Sequence, residues 1–147
     1  MSPQQTVRDG DGNQYLLLKR SSESSLVRDP ATGERRHLPN DSLELVEDEE
    51  PLSTYASTVP ADVRGVLSAV RNDTALGLLL AIDASGPVGV RTLLDETTLC
   101  ESDLHGMLAE FQVAGLIEEA TVAGERGYDT TETATTALAR LRSDADG

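Results

Sequence analysis

A chain of 147 residues with 26 acidic and 12 basic side chains carries a formal charge of −14. That size fits one compact domain or a small domain with an appendage, and that charge opposes nucleic-acid contact at ordinary ionic strength. One cysteine excludes an intramolecular disulfide or a thiolate cluster, and two histidines, His37 and His105, are too few for a usual zinc site.

Residues 1–40 hold Arg8, Lys19, Arg20, Arg28, Arg35 and Arg36 against Asp9, Asp11, Glu23, Asp29 and Glu34, a sum of +1 in a chain that is otherwise strongly negative. Their pattern predicts strands and tight turns. "DGDGN" at 9–13 separates "TVR" from "QYLLLKR", and "RDPATGERR" at 28–36 separates "SSLV" from "RRHL". Pro30 suits the second position of a type I turn, and Gly33 supplies a residue at positive φ. A third strand is expected through Leu43 to Val46, giving a β-hairpin module over 1–50. Residues 41–50 hold six acids and no base, and the uncharged "PLSTYASTVP" at 51–60, bounded by Pro51 and Pro60, reads as a linker.

The remainder, 61–147, is mainly helical. With one Phe, three Tyr and no Trp, its core must come from Leu, Val and Ala. Val63, Val66, Leu67 and Val70 fall at helical spacing and mark one amphipathic helix. Asn72 or Asp73 caps the next, from Thr74 to about Asp83, which is apolar on most sides and expected to be buried. "ASGP" stops it. A short helix near Val90 to Asp95, a turn at Thr97–Cys100 and a helix from Glu101 to Val113 follow. Leu104, Met107, Leu108 and Phe111 form the inward stripe of that last helix, and Gly115 ends it. "LIEEATVA" reads as a strand, "GERG" at 124–127 as a turn, "YDTT" as the returning strand, and a final helix starts near Thr131 with Ala134, Ala137, Leu138 and Leu141 on one side.

Taken together, "LCESDLHGMLAEFQVAGLIEE" (99–119) and "YDTTETATTALARL" (128–141) are similar to the second helix, the step into the wing and the exit from the wing of ArsR-like and MarR-like winged helix-turn-helix regulators. The resemblance covers 74–142. Cys100 stands where those proteins often have Ser, and Ala134 where a Gly is common. Lys19 is the only lysine; with abundant acids and few aromatics, the composition also resembles that of salt-in halophilic archaea. At about 1 M salt the Debye length is near 3 Å, so the negative charge would then count only weakly against DNA.

With the N-terminal antiparallel β-hairpin module read from its strands and turns, the resemblance implies an α+β protein whose C-terminal part, over 61–147, is a winged helix-turn-helix domain. It also implies a dimeric transcriptional regulator that binds double-stranded DNA. Recognition helix 101–113 would enter the major groove and wing 116–131 would lie beside it. Glu101, Ser102, His105 and Gly106 would face the groove, with Arg91 and Thr92 on the preceding helix and Arg126 at the wing tip on phosphates. Bland readings stand beside these. Glu101 and Asp103 suit the positive end of a helix dipole, His105 can be a solvated surface residue, and Arg126 a polar turn residue.

Lys19, Arg20, Arg35 and Arg36 form a secondary basic patch that could meet DNA, an acidic partner or the acidic run at 41–50. Cys100, at a helix start, could sense redox state, but its expected role is that of a small buried hydrophobe. The recognition helix carries no Lys or Arg, which keeps open a second reading, a winged-helix adaptor that binds protein. A third has the hairpin module covering a ligand pocket. No nucleophile–base pair, phosphate loop or carboxylate dyad is present, so neither enzyme activity nor a cofactor or metal is expected. No apolar run nears the roughly 20 residues that span a bilayer and no signal peptide opens the chain, so a soluble, cytoplasmic protein is expected.

Overall fold

The computed structural model describes residues 4–143. It is mixed α and β with antiparallel sheets, and it divides into two compact units, Met1–Val59 and Pro60–Gly147.

In the first unit, strands β1 (Gln5–Arg8), β2 (Gln14–Arg20), β3 (Ser24–Arg28), β4 (Arg35–Pro39) and β5 (Glu44–Val46) form one antiparallel sheet in the order β4-β3-β2-β1-β5. Its turns use the residues that turns require. The Asp9 carboxylate accepts the Asp11 and Asn13 amides at 2.9 Å each, and Asp29 accepts the Ala31 amide at 2.9 Å. Gly33 takes φ 77°, which an L side chain would resist. Because side chains alternate across a strand, the sheet has two distinct faces. Val7, Tyr15 and Val27 build a small core on one, joined by Leu17, Leu38 and Leu43. Thr6 and Leu16, on the other, are fully buried.

Helix α1 (Pro51–Ala56) packs on that second face, with Thr54 Oγ1 2.7 Å from Thr6 Oγ1. The segment expected as a linker at 51–60 is therefore partly a structural element of the first unit. Pro51, taken as a boundary, occupies the first helical position, where its fixed φ suits a helix and its missing N–H costs nothing.

The second unit contains α2 (Ala61–Ala69), α3 (Asp73–Ser85), β6 (Val88–Gly89), α4 (Val90–Glu96), α5 (Glu101–Val113), β7 (Ile117–Val122), β8 (Glu125–Thr130) and α6 (Glu132–Ser143), with the sheet ordered β6-β8-β7. From α3 onward this is the expected order of elements, with β6 added. Asn72, not Asp73, caps α3, its Oδ1 accepting the Ala75 amide at 2.9 Å. At the end of α5 the Leu116 amide bonds to the Phe111 carbonyl and the Gly115 amide to that of Gln112, with Gly115 at φ 76°. That is a Schellman cap, and it turns the chain directly into β7. The core is mainly aliphatic: Leu79, Ile82, Leu93, Leu104, Leu108, Leu116 and Leu138 are almost fully buried around the Phe111 ring, and Tyr128 is buried as well. The expected stripe on α2 needs one correction. Leu67 is 62% exposed, and Ala69 is buried with Val63 and Val66.

Candidate nucleic-acid interface

Helix α5 starts from Cys100, whose side chain makes no capping bond. Its outward positions in the first turns, Glu101, Ser102, Asp103, His105 and Gly106, are all exposed. Apart from its chain neighbours and the backbone of its own helix, no atom lies within 4 Å of where a Cβ on Gly106 would stand, so the helix surface is open at that point. His105 Nε2 lies 3.7 Å from Glu101 Oε1, one helical turn back, an ion pair that forms when the imidazole is protonated. Cys100, expected to be buried, is exposed, with its Sγ 3.4 Å from Ser102 Oγ.

Beside this helix in the sequence, β7 and β8 form a hairpin whose turn differs from expectation. Val122 pairs with Glu125, so the loop is Ala123-Gly124, with φ of 51° and 79°. Two central residues at positive φ are the type I′ pattern, whose twist matches the flanking strands. The "GERG" turn at 124–127 is thus corrected: only Gly124 is in the loop, and β8 begins at Glu125. Arg126 is therefore not at the wing tip. It sits on β8 opposite Thr121, donates a hydrogen bond to the Glu119 carboxylate, and places its guanidinium carbon 5.8 Å from the Tyr128 ring centroid. The Glu119 bond, then the Tyr128 phenol, raise its pKa above the ordinary value for arginine.

Gly127 lies inside the strand because β6 crosses it closely. A Cβ there would collide with the Val88 carbonyl.

Arg91 and Thr92 are exposed on α4, and Arg91 Nε reaches Glu125 Oε1 at 3.7 Å. Arg71 pairs with Glu110 and Arg140 with Asp62, at 3.7 and 3.4 Å. Four arginines of the second unit, Arg71, Arg91, Arg126 and Arg140, thus each face a carboxylate of the same unit.

The expected secondary patch is divided by the pleat. Val27 pairs with Arg36 and Leu17 with Val27, so Arg36 lies on the core face, 6.0 Å from the Tyr15 ring centroid and 3.3 Å from Glu34. Arg20 pairs with Ser25, which is buried on that same side. Arg35 and Lys19 share the opposite face. Sequence reasoning left Arg28 and His37 out of this patch, although the alternation of "SSLVR" and "RRHLP" carries the signal once the register is known.

A family model described as "Family of unknown function (DUF7346)" matches residues 4–142. The chain belongs to that family. Its match spans both units. No curated protein matches the chain. Among solved structures, the chain is similar to an ArsR-like transcriptional regulator from Rhodococcus sp. RHA1, at 22% identity and a TM-score of 0.43 over 58% of this chain and 84% of that one.

Among the described residues of this DUF7346 chain, no group of three or more His, Cys, Asp or Glu is placed to hold a metal ion, and no helix is long and apolar enough to cross a membrane.

Proposed function

We propose that the second unit is a winged helix-turn-helix and that the chain is a transcriptional regulator binding double-stranded DNA, with α5 in the major groove and the β7–β8 hairpin as the wing. The observation that carries this is the open outer face of α5, where Glu101, Ser102, His105 and Gly106 are all exposed. A bare helix surface of that kind is what a groove about 12 Å wide admits. His105 donates to base edges or phosphate, Ser102 to either, and Glu101 accepts from cytosine N4. Thr92 and Arg91 on α4, with Arg126 on β8, hold the register on phosphates.

Arg91 and Arg126 each leave a carboxylate to do so, and that exchange limits the affinity they add. Removing those carboxylates gives a directional test. In fluorescence polarisation with genomic fragments in molar KCl, Glu119→Gln and Glu125→Gln should bind more tightly than wild type, and Arg126→Ala more weakly. Affinity insensitive to all three would end the assignment of the wing arginines.

Two copies would associate through α2 and α6. These helices pack on each other within the chain, yet Leu67 and Leu141 remain 62% and 40% exposed. A two-fold dimer would then meet half-sites about 10 bp apart. The acidic composition suits a cytoplasm of molar salt, where long-range repulsion from DNA is screened.

One observation favours a second reading, an adaptor that binds protein. The first turn of α5 carries Glu101 and Asp103, and the nearby arginines are already matched. Retention of no duplex at any salt, with a stoichiometric protein partner in pull-downs, would replace the first reading with this one.

A further inference from the structure

On the sheet face where α1 covers Thr6 and Leu16, the part of the first unit's sheet formed by β2, β3 and β4 carries a cationic strip; the one acid on that face among the described residues, Glu44, lies on β5 at the far edge, opposite Arg8. Leu16 pairs with Arg28 and Arg28 with Arg35, while Lys19 pairs with Leu26 and Leu26 with His37. Cross-strand partners share a face, so Lys19, Arg28, Arg35 and His37 lie together across β2, β3 and β4. Among the described residues, Lys19, Arg28 and Arg35 have no carboxylate at ion-pair distance. Glu34, the acid next to Arg35, is turned to Arg36 on the core face.

The opposition of Arg28 and Arg35 is the informative detail. The Asp29 amide bonds to the Glu34 carbonyl and the Asn40 amide to the Glu23 carbonyl. Hydrogen-bonded pairs therefore alternate from 29/34 to 23/40, and Arg28/Arg35 is a non-hydrogen-bonded pair, the kind whose side chains stand closest. Like charges directly opposite destabilise a sheet. Elsewhere the same sheet sets Arg8 opposite Glu44. Glu118 and Asp129 are also opposed, but acids outnumber bases by more than two to one in this chain. Two of twelve basic residues facing each other, with 26 carboxylates available, is a local conflict the fold does not relieve. Such conflicts mark positions held for function.

We infer that this face binds the phosphate backbone of double-stranded DNA, so that the first unit supplies sequence-independent affinity that the neutralised arginines of the second do not. The inference rests on the proposed regulator reading. Arginine forks bind phosphate bidentately. Three strands at about 4.8 Å spacing spread the charges over roughly 10 Å, a width suited to a polyanion lying across the strands. A peptide added beside β4 would meet Arg35 and His37 but not reach Lys19.

The test uses the full chain, a random-sequence duplex and polarisation over a KCl series, comparing wild type with Arg28→Gln/Arg35→Gln and with Arg126→Ala. The double variant should bind with a log–log salt slope shallower by about two, one per lost phosphate contact, and it should melt no lower than wild type because the repulsion is gone. Wild-type binding with an unchanged slope in the double variant overturns the inference and leaves the α5 reading standing. No wild-type binding to any duplex overturns both. A lowered melting temperature assigns the arginines to structure, and polyglutamate binding tighter than the duplex at equal charge assigns the face to acidic polypeptide. Either result overturns the inference.

Discussion

At single positions the structure makes sharp demands. Gly127 is fixed by the Val88 carbonyl pressed against it. Gly127→Ala should separate β6 from β8 at a cost of about 1–3 kcal/mol, read as a drop of several degrees in the melting temperature of the Pro60–Gly147 unit. Asp9 works through its charge. Desolvation pushes its pKa upward, but hydrogen bonds from the Asn13 backbone and side chain, the Asp11 amide and the Tyr15 hydroxyl outweigh this and leave it below the usual carboxylate value. A depressed folded-state pKa gives stability that is present above the unfolded-state value and lost as pH falls through the folded one. Asp9→Asn should therefore lower the melting temperature at neutral pH, and the gap from wild type should close at acid pH below the usual carboxylate range. A gap that stays constant with pH would show that the carboxylate charge is not what holds the turn.

At the level of elements, Thr6 and Thr54 tie α1 to the sheet through the only hydroxyl pair that is fully buried at both ends among the described residues. Thr54→Val alone should cost about 1–3 kcal/mol by stranding the Thr6 hydroxyl, whereas Thr6→Val with Thr54→Val should cost much less. A double-mutant cycle by urea melting checks this. These two residues also show where the sequence was legible. Helices α3, α5 and α6 announced themselves because Leu79 and Ile82, Leu104, Leu108 and Phe111, and Ala134, Ala137 and Leu138 repeat at helical spacing, and Gly115 closes α5 in a recognisable way. Helix α1 did not, since six residues are too few to show a period and its anchor is a polar contact with a strand 48 positions away. The β7–β8 pair was legible as a hairpin but not in register. "GERG" holds two glycines, and only the approach of β6 reveals that the second serves close packing instead of the turn. The basic patch divided because Lys19 and Arg20, like Arg35 and Arg36, are strand neighbours that point to opposite faces, and a bulge between Leu17 and Lys19 that no local signal marks decides that Lys19, not Arg20, joins Arg35.

For the molecule as a whole, charge decides the conditions under which it works. A formal charge of −14 repels itself, so stability should rise with KCl between 0.1 and 1 M, where the Debye length shrinks from about 10 to 3 Å. A melting temperature that fell over that range would remove the case for adaptation to molar salt. The first unit's sheet adds a consequence of its own. Among the described residues its two terminal strands each have an unpaired side, and they differ in sign: β4 carries Arg35, Arg36 and His37, while β5 begins at Glu44 and runs on into Glu47, Asp48, Glu49 and Glu50. Strands with free backbone groups are templates for further pairing. Opposite signs invite the β4 of one molecule to seek the β5 of another, a head-to-tail contact that does not close on itself. In dilute buffer such chains would lengthen and scatter light; concentrated salt would dissolve them back to their starting size.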